Sequence, residues 1–330
     1  MAIQQVPYTG KAFKIGAVVC GGVVLSGAEN SEVLSGITKE MIKADGALAP
    51  RGSYIKSIQP SIKFTTRNLD ILVATGMRGK ALNKIGSGPN RKLEVYVELL
   101  EPNASIMGGA KHLKWEADSG ILAPTSIKVA SEGVATVDYE LKIASPPQTW
   151  PLEVIDNVSL PALTDMKLYG LGPMFMNGLF INTKTNVDIQ IGTKLEPFAR
   201  DGNIYPECFY AIGYEPKINV TVNDLSLVTT LGRSGSVSKT GGSGGGMGTC
   251  LFLRRRVDGG EYYPNNEQEH IKLTFGGDYI FEKLGGGGSE ELATIPLVID
   301  VLQKGSASDQ EIDVTAEVEI PVEIDPASYA

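Results

Sequence analysis

The sequence predicts a mainly β protein made of two tandem copies of one domain, each copy with a short helix and glycine-rich loops. The first observation is an internal repeat: "DGALAPRGSYIKSIQPSIKFTTRNLDILVATG" at 45–76 and "DGNIYPECFYAIGYEPKINVTVNDLSLVTTLG" at 201–232 match at a constant offset of 156. Asp45 meets Asp201, Pro50 meets Pro206, Tyr54 meets Tyr210, Pro60 meets Pro216, Ile62 meets Ile218, Thr65 meets Thr221 and Gly76 meets Gly232. The second is alternation of apolar and polar residues, the period of a strand with one buried face. The third is length: 330 residues suit two domains of ordinary size, 1–156 and 157–330.

Each element can be read in chain order. "GGVVLSG" at 21–27 corresponds to "NGLFINT" at 177–183, apolar residues falling on apolar residues. "SIKFTT" and "KINVTV" are β-branched, alternating strands. After each comes a short helix, "NLDILVATG" and "NDLSLVTTLG", with Asn68 and Asp224 placed to cap it and Gly76 and Gly232 to end it. "LEVYVEL" puts Leu93, Val95, Val97 and Leu99 on one side and Glu94, Tyr96 and Glu98 on the other; its counterpart is "TCLFLRR". The offset then becomes 158, matching His112 with His270 and "VATVDYELKI" with "LATIPLVIDV". In the tail, "EIDVTAEVEIPVEI", Ile312, Val314, Ala316, Val318 and Ile320 alternate with polar neighbours.

Charge divides unevenly between the copies. Up to Asp156 there are 17 basic and 15 acidic residues, a net of +2; beyond it 13 and 23, a net of -10; together they make the -8 of the chain. Such a chain has no basic footprint for gripping nucleic acid, but an acidic wall would repel it. Cys20, Cys208 and Cys250 are scattered and odd in number, which excludes a disulfide scaffold and a close-spaced metal site. No apolar run reaches the roughly 20 residues of a membrane span, so a soluble protein made in a cytoplasm is expected.

Catalytic signatures are missing. "SGSVSKT" at 234–240 has Ser238 where a phosphate loop requires glycine before the lysine. His112 and His270 sit at equivalent places without a partnered nucleophile, which points to a structural role in both copies. Tyr54 and Tyr210, also equivalent, are expected in core or sheet packing. No enzyme activity, cofactor or metal is expected. Two runs remain as candidate contact loops, 76–92 with Arg78, Lys80, Lys84, Arg91 and Lys92, and 232–248 with Arg233 and Lys239. Glu94, Glu98, Asp313, Glu317 and Glu319 form a candidate acidic face toward a lumen or an interface.

The segment 45–82 resembles the central stretch of tail tube proteins of long-tailed, siphovirus-like bacteriophages, an extended "P-x-I-x-F-T-T" strand leading into a short "L-x-x-x-x-A-x-x-G" element and an exposed loop. The matching residues are Pro60, Ile62, Phe64, Thr65, Thr66, Leu69, Ala74 and, more loosely spaced, Gly76 and Gly79; the second copy departs from the pattern at Val222. The resemblance implies a β-sandwich or distorted barrel in each copy and a virion-tail protein assembled in a host bacterium. It implies rings of six domains stacked into a tube; the internal duplication lets three chains supply the six, and the two glycine-rich loops, equivalently placed after the short helices, are the candidates for ring-to-ring contact. Tape-measure, tail terminator and baseplate proteins would be its partners, and DNA would pass without specific binding. The alternatives are another virion part, such as a capsid decoration or baseplate protein, or a carbohydrate-binding β-sandwich.

Overall fold

The computed structural model describes residues 12–20, 23–25, 28–43, 49–82, 92–101, 105–145, 148–163, 165–240, 247–257, 260–283, 294–302 and 310–321. Lys84 and Arg91 lie outside them. The first strand set is β1 (Ala12–Cys20), β2 (Val23–Leu25), β3 (Ala28–Leu34), β4 (Ile37–Ile42), β5 (Gly52–Ile58), β6 (Ser61–Thr66), α1 (Asp70–Thr75), β7 (Lys80–Leu82), β8 (Leu93–Leu100), β9 (His112–Ala117), β10 (Gly120–Ala130), β11 (Thr136–Ile143) and β12 (Leu152–Val158). The second is β13 (Tyr169–Met176), β14 (Leu179–Ile181), β15 (Lys184–Gln190), β16 (Thr193–Phe198), β17 (Cys208–Tyr214), β18 (Lys217–Val222), α2 (Ser226–Leu231), β19 (Ser234–Val237), β20 (Cys250–Arg255), β21 (His270–Phe275), β22 (Gly277–Phe281), β23 (Ile295–Val301) and β24 (Ile312–Val318).

The chain is mainly β, and its strands pair in one scheme used twice. A five-stranded sheet runs β12-β9-β8-β1-β2, and another runs β24-β21-β20-β13-β14. Between the sets runs a ten-stranded sheet, β19-β22-β23-β18-β15-β10-β11-β6-β3, with β7 alongside β10. Two hairpins, β4–β5 and β16–β17, stand apart as two-stranded sheets. Ile62 pairs with Leu141 and Val33, and Ile218 pairs with Ile299 and Ile189. The expected boundary at 156 falls inside β12, which stays paired with β9 through Val158, so the chain crosses between the sets at 159–168.

Alternation builds the sandwich. On β8, Leu93, Val95, Val97 and Leu99 are buried while Glu94, Tyr96 and Glu98 turn outward; on β11, Val137, Tyr139, Leu141 and Ile143 are buried. Leu93 and Val95 meet these β11 residues in one apolar core with Ile62, Phe64 and Leu122, and Phe64 stacks on Tyr139 at 5.4 Å between centroids. Removing such surface from water is the main stabilising contribution. Both helices form as the sequence indicates. The Asn68 side chain accepts the Asp70 N–H at 3.0 Å and Asp224 accepts that of Ser226 at 2.8 Å, while Gly76 and Gly232 close the helices at φ of 69° and 80°. No helix among the described residues is long and apolar enough to cross a membrane.

The tail strand is shorter than its pattern suggests. β24 stops at Val318, after Glu317 takes a φ of 55°, a left-handed conformation that breaks the alternation. Within the candidate loops, the described part of 76–92 contains β7, paired with β10, and that of 232–248 contains β19, paired with β22. Cys20, Cys208 and Cys250 are free thiols, each at least partly buried, as expected of small packing side chains.

Among the described residues Glu116, Lys184 and Glu311 are charged groups buried in the fold. Lys184 is 5% exposed and its ammonium donates to the Ile181 carbonyl; burial pushes its pKa down from 10.5 to about 7. The unfolded chain therefore holds a proton between pH 7 and 10.5 that the folded chain has released, so the folded state gains stability as pH rises through that window. Lys184→Met is expected to raise stability at pH 7 by about 1–3 kcal/mol, net of the carbonyl's lost partner, and to flatten that rise. Urea unfolding of both proteins at pH 7 and pH 10 checks this; a destabilised variant would contradict it.

Candidate functional site

The two sets meet where β10 changes neighbours. Its first residues, Gly120–Leu122, pair with β7, and Ser126–Ala130 pair antiparallel with Asn186–Gln190 of β15. The register against β11 slips between Pro124 and Ser126, so Pro124, which has no N–H to donate, sits at the irregularity. Five residue pairs thus fuse the sandwiches through backbone hydrogen bonds.

The fused sheet has an apolar face in the core and a polar face outside. Across it runs one register row: Glu29, Thr65, Asp138, Ser126, Gln190, Lys217, Asp300, Asp278, Ser236. Asp138 accepts hydrogen bonds from Thr65 at 2.6 Å, Ser126 at 2.6 Å and Lys128 at 2.9 Å. Burial opposes its charge, but these donors outweigh burial and lower its pKa. With the neighbouring rows, the face carries the acids Glu29, Glu32, Asp138, Glu140, Asp188, Asp278 and Asp300 against Lys63, Lys128, Lys142 and Lys217. That is a mixed surface with an acidic excess.

Side chains reinforce the joint. Arg78, after α1, forks onto Glu311 with Nε–Oε2 at 3.0 Å and Nη2–Oε1 at 2.9 Å, and lies 5.2 Å above the Tyr214 ring. The Tyr214 hydroxyl donates to the Arg78 carbonyl at 3.4 Å. The loop of the second hairpin rests on the first set: Ile58 N–H donates to Ile204 O at 2.8 Å, Ser145 N–H to Pro206 O at 2.7 Å and Gln148 Nε2 to Tyr205 O at 3.2 Å. Trp150 meets Tyr205 edge-on at 6.5 Å.

The expected contact residues therefore divide. Arg78 is a contact within the chain rather than a loop residue held out to another ring. Lys239 is likewise engaged, donating to Gln310 O at 2.5 Å and pairing with Asp313 at 2.7 Å, so one candidate base and one candidate acid neutralise each other. Lys92 pairs with Glu116. Lys80 and Arg233 are exposed, Lys80 on β7 and Arg233 between α2 and β19. None of the five candidate acids lies on the fused sheet. Glu94 and Glu98 are on β8, Asp313 and Glu317 on β24 and Glu319 just after it, all in the five-stranded sheets or at their ends. Glu94 and Glu116 stand directly opposite each other, a repulsive pair that Lys114 bridges and Lys92 relieves; Glu98 pairs with Lys14 at 2.9 Å.

The duplicated histidines are structural. His112 Nδ1 accepts the Leu99 N–H, and His270 Nδ1 accepts the Arg255 N–H, each at 3.2 Å; both rings are buried. Burial lowers the pKa of His270, whose Nε2–H donates to Pro264 O at 3.0 Å. The expectation for Tyr54 and Tyr210 does not hold in the core: both lie on two-stranded hairpins and are 48% and 57% exposed. Sequence reading missed Tyr214 and Glu311. No group of three or more metal-ligating side chains occurs among the described residues.

The geometry defines a mainly β class of protein, two sandwiches fused by one sheet. Compared with family models and with curated proteins, the chain matches none.

Arg78→Ala and Glu311→Ala are each expected to cost on the order of 1–2 kcal/mol, and the double variant less than their sum by about 1 kcal/mol; a thermodynamic cycle by denaturant unfolding checks the coupling. Acid titration tests the charge ladder on the outer sheet. Burial opposes the Glu116 charge, yet hydrogen bonds from Lys114 and Lys92 hold its pKa down at about 2. Its stabilisation is present above pH 4.5 and lost as pH falls through about 2. Glu116→Gln should be less stable than the parent at pH 6 and decline less between pH 4.5 and pH 2.

Proposed function

We propose that this chain is a structural subunit of a virion tail tube, three copies closing into a ring of six pseudo-equivalent sandwiches that stack into a conduit for DNA. The observation that carries the reading is the fused sheet: β15 of the second set continues the sheet of the first through β10. β3, the counterpart of β15 in the pairing scheme, ends that sheet and leaves its outer edge to another strand. A head-to-tail joint of this kind generates a closed ring when its rotation divides a circle. Closure also satisfies an edge that would otherwise promote aggregation.

In such a ring the polar face of the fused sheet is the tunnel wall. Its acidic excess repels phosphate, and its lysines are held by Asp138, Glu140 and Asp300 rather than offered to a ligand. The wall residues are thus Asp138, Asp188, Asp278 and Asp300, in place of the acids first picked out on β8 and β24. The resemblance at 45–82 adds tape-measure, tail terminator and baseplate proteins as partners, a virion-tail location, and no catalytic role.

Electron microscopy with mass measurement of assembled particles tests the reading. Three chains per ring are expected, around a bore wider than the roughly 20 Å of duplex DNA. Six chains per ring, or a protein that stays monomeric at every concentration and in the presence of tail-initiating components, would reject it.

A further inference from the structure

The two hairpins are unequally housed. On β16–β17, Phe209 is buried, and Pro206 in the loop just before β17 is buried too. On β4–β5, by contrast, Pro50, the residue that aligns with Pro206, is exposed. Ile42 and Tyr54 on one face of that hairpin are exposed like their counterparts Phe198 and Tyr210, while Met41 and Ile55 are exposed on the other face, the one that corresponds to the face of buried Phe209. Apolar side chains on both faces of a two-stranded ribbon have no sheet of their own to cover them, and a concentrated apolar surface of this kind marks a contact site.

The surfaces that receive a hairpin are unequal in the complementary sense. Ile58 and Ala144, next to the seated loop of β16–β17, are each 5% exposed. Two shared backbone bonds fix their counterparts. Ile143 N–H donates to Pro60 O and Ala144 N–H to Ser119 O in the first set; Val301 N–H donates to Pro216 O and Leu302 N–H to Gly276 O in the second. Leu302 therefore occupies the place of Ala144, and it is 41% exposed. Tyr214, at the end of β17, occupies the place of Ile58 at the end of β5. One chain thus holds a seated hairpin on a covered receptor, and also an unseated hairpin and a receptor uncovered at Leu302, Tyr214 being half-buried with Arg78 over its ring. Within the chain the unseated hairpin and the uncovered receptor belong to opposite strand sets.

We infer that the β4–β5 hairpin docks on a second copy of this chain, laying Met41 and Pro50 over Leu302, beside Tyr214, of that copy. The joint repeats, between chains, the seating of β16–β17 within one chain. It extends the ring proposed above and rests on it for the order in which copies follow one another. Arg233 lies between α2 and β19, one place before the Ser234 that aligns with Arg78, and is exposed. Charge favours the same arrangement: the hairpin carries Lys39, Lys43, Arg51 and Lys56 against Glu40 and Asp45, while the second half of the chain has the acidic excess.

A photo-activatable benzoylphenylalanine at position 41 tests the docking, with heavy- and light-isotope chains mixed so that products between chains are identified by mass. Cross-links between chains are expected in the peptides spanning 208–217 and 294–302. Leu302→Asp should lower their yield about tenfold, the loss equivalent to about 1.4 kcal/mol of docking energy, while circular dichroism and the melting transition stay as in the parent. Assembled particles whose cross-links fall within one chain, or on the five-stranded sheets, would overturn the docking and leave the ring standing. A parent protein that yields no product between chains and sediments as a monomer at every concentration would overturn both.

Discussion

Backbone hydrogen bonding at strand edges is the constraint on which this structure depends. An edge presents a row of N–H and C=O groups that must find partners, and eleven-residue β10 satisfies two demands by serving β7 with its first part and β15 with its last. The irregularity at Pro124 is where the strand turns from one neighbour to the other. Without that change of partner the sandwiches would be beads on a string. With it they share one sheet and one core, in which Ile127 and Val129 of one set adjoin Val187 and Ile189 of the other.

Around that joint, like-named residues do unlike work. The histidines His112 and His270 keep the same bond in both sets because each serves a strand pair that exists in both. Arg78 and Arg233 differ because one faces a neighbouring sandwich in its own chain, with Glu311 and Tyr214 within reach, and the other does not. Charges elsewhere are mostly spent on local repair. Lys114 and Lys92 exist beside Glu94 and Glu116 because two carboxylates opposite each other on adjacent strands would otherwise repel at close range.

What could be read from the sequence was what local chemistry dictates. Alternation in "LEVYVEL" placed Leu93, Val95, Val97 and Leu99 inside, and Asn68 and Asp224 announced the two helices. The partners of charged residues were hidden, since Arg78 and Glu311 are 233 positions apart and no periodicity connects them. Tyr54 and Tyr210 were misread for a related reason: a strand in a free hairpin has the composition of a strand in a sheet, and only the layers above and below decide whether its side chains are covered. Acids likewise announced their sign but not their sheet. Glu94 and Asp138 alternate with apolar residues in the same way, yet one belongs to an outer sheet and the other to the fused one.

The joint at β10 and β15 also has a mechanical side. A force pulling the sandwiches apart across the sheet loads its hydrogen bonds one after another, like the teeth of a zipper, whereas a force along the strands loads all five pairs at once. The link at 159–168 lies in parallel with this seam and bypasses it, so once the seam opens the sandwiches stay tethered and can close again on the same register. A seam between separate chains has no such tether. Covalent continuity at one joint and its absence at another would give an otherwise repeating structure fixed places to yield.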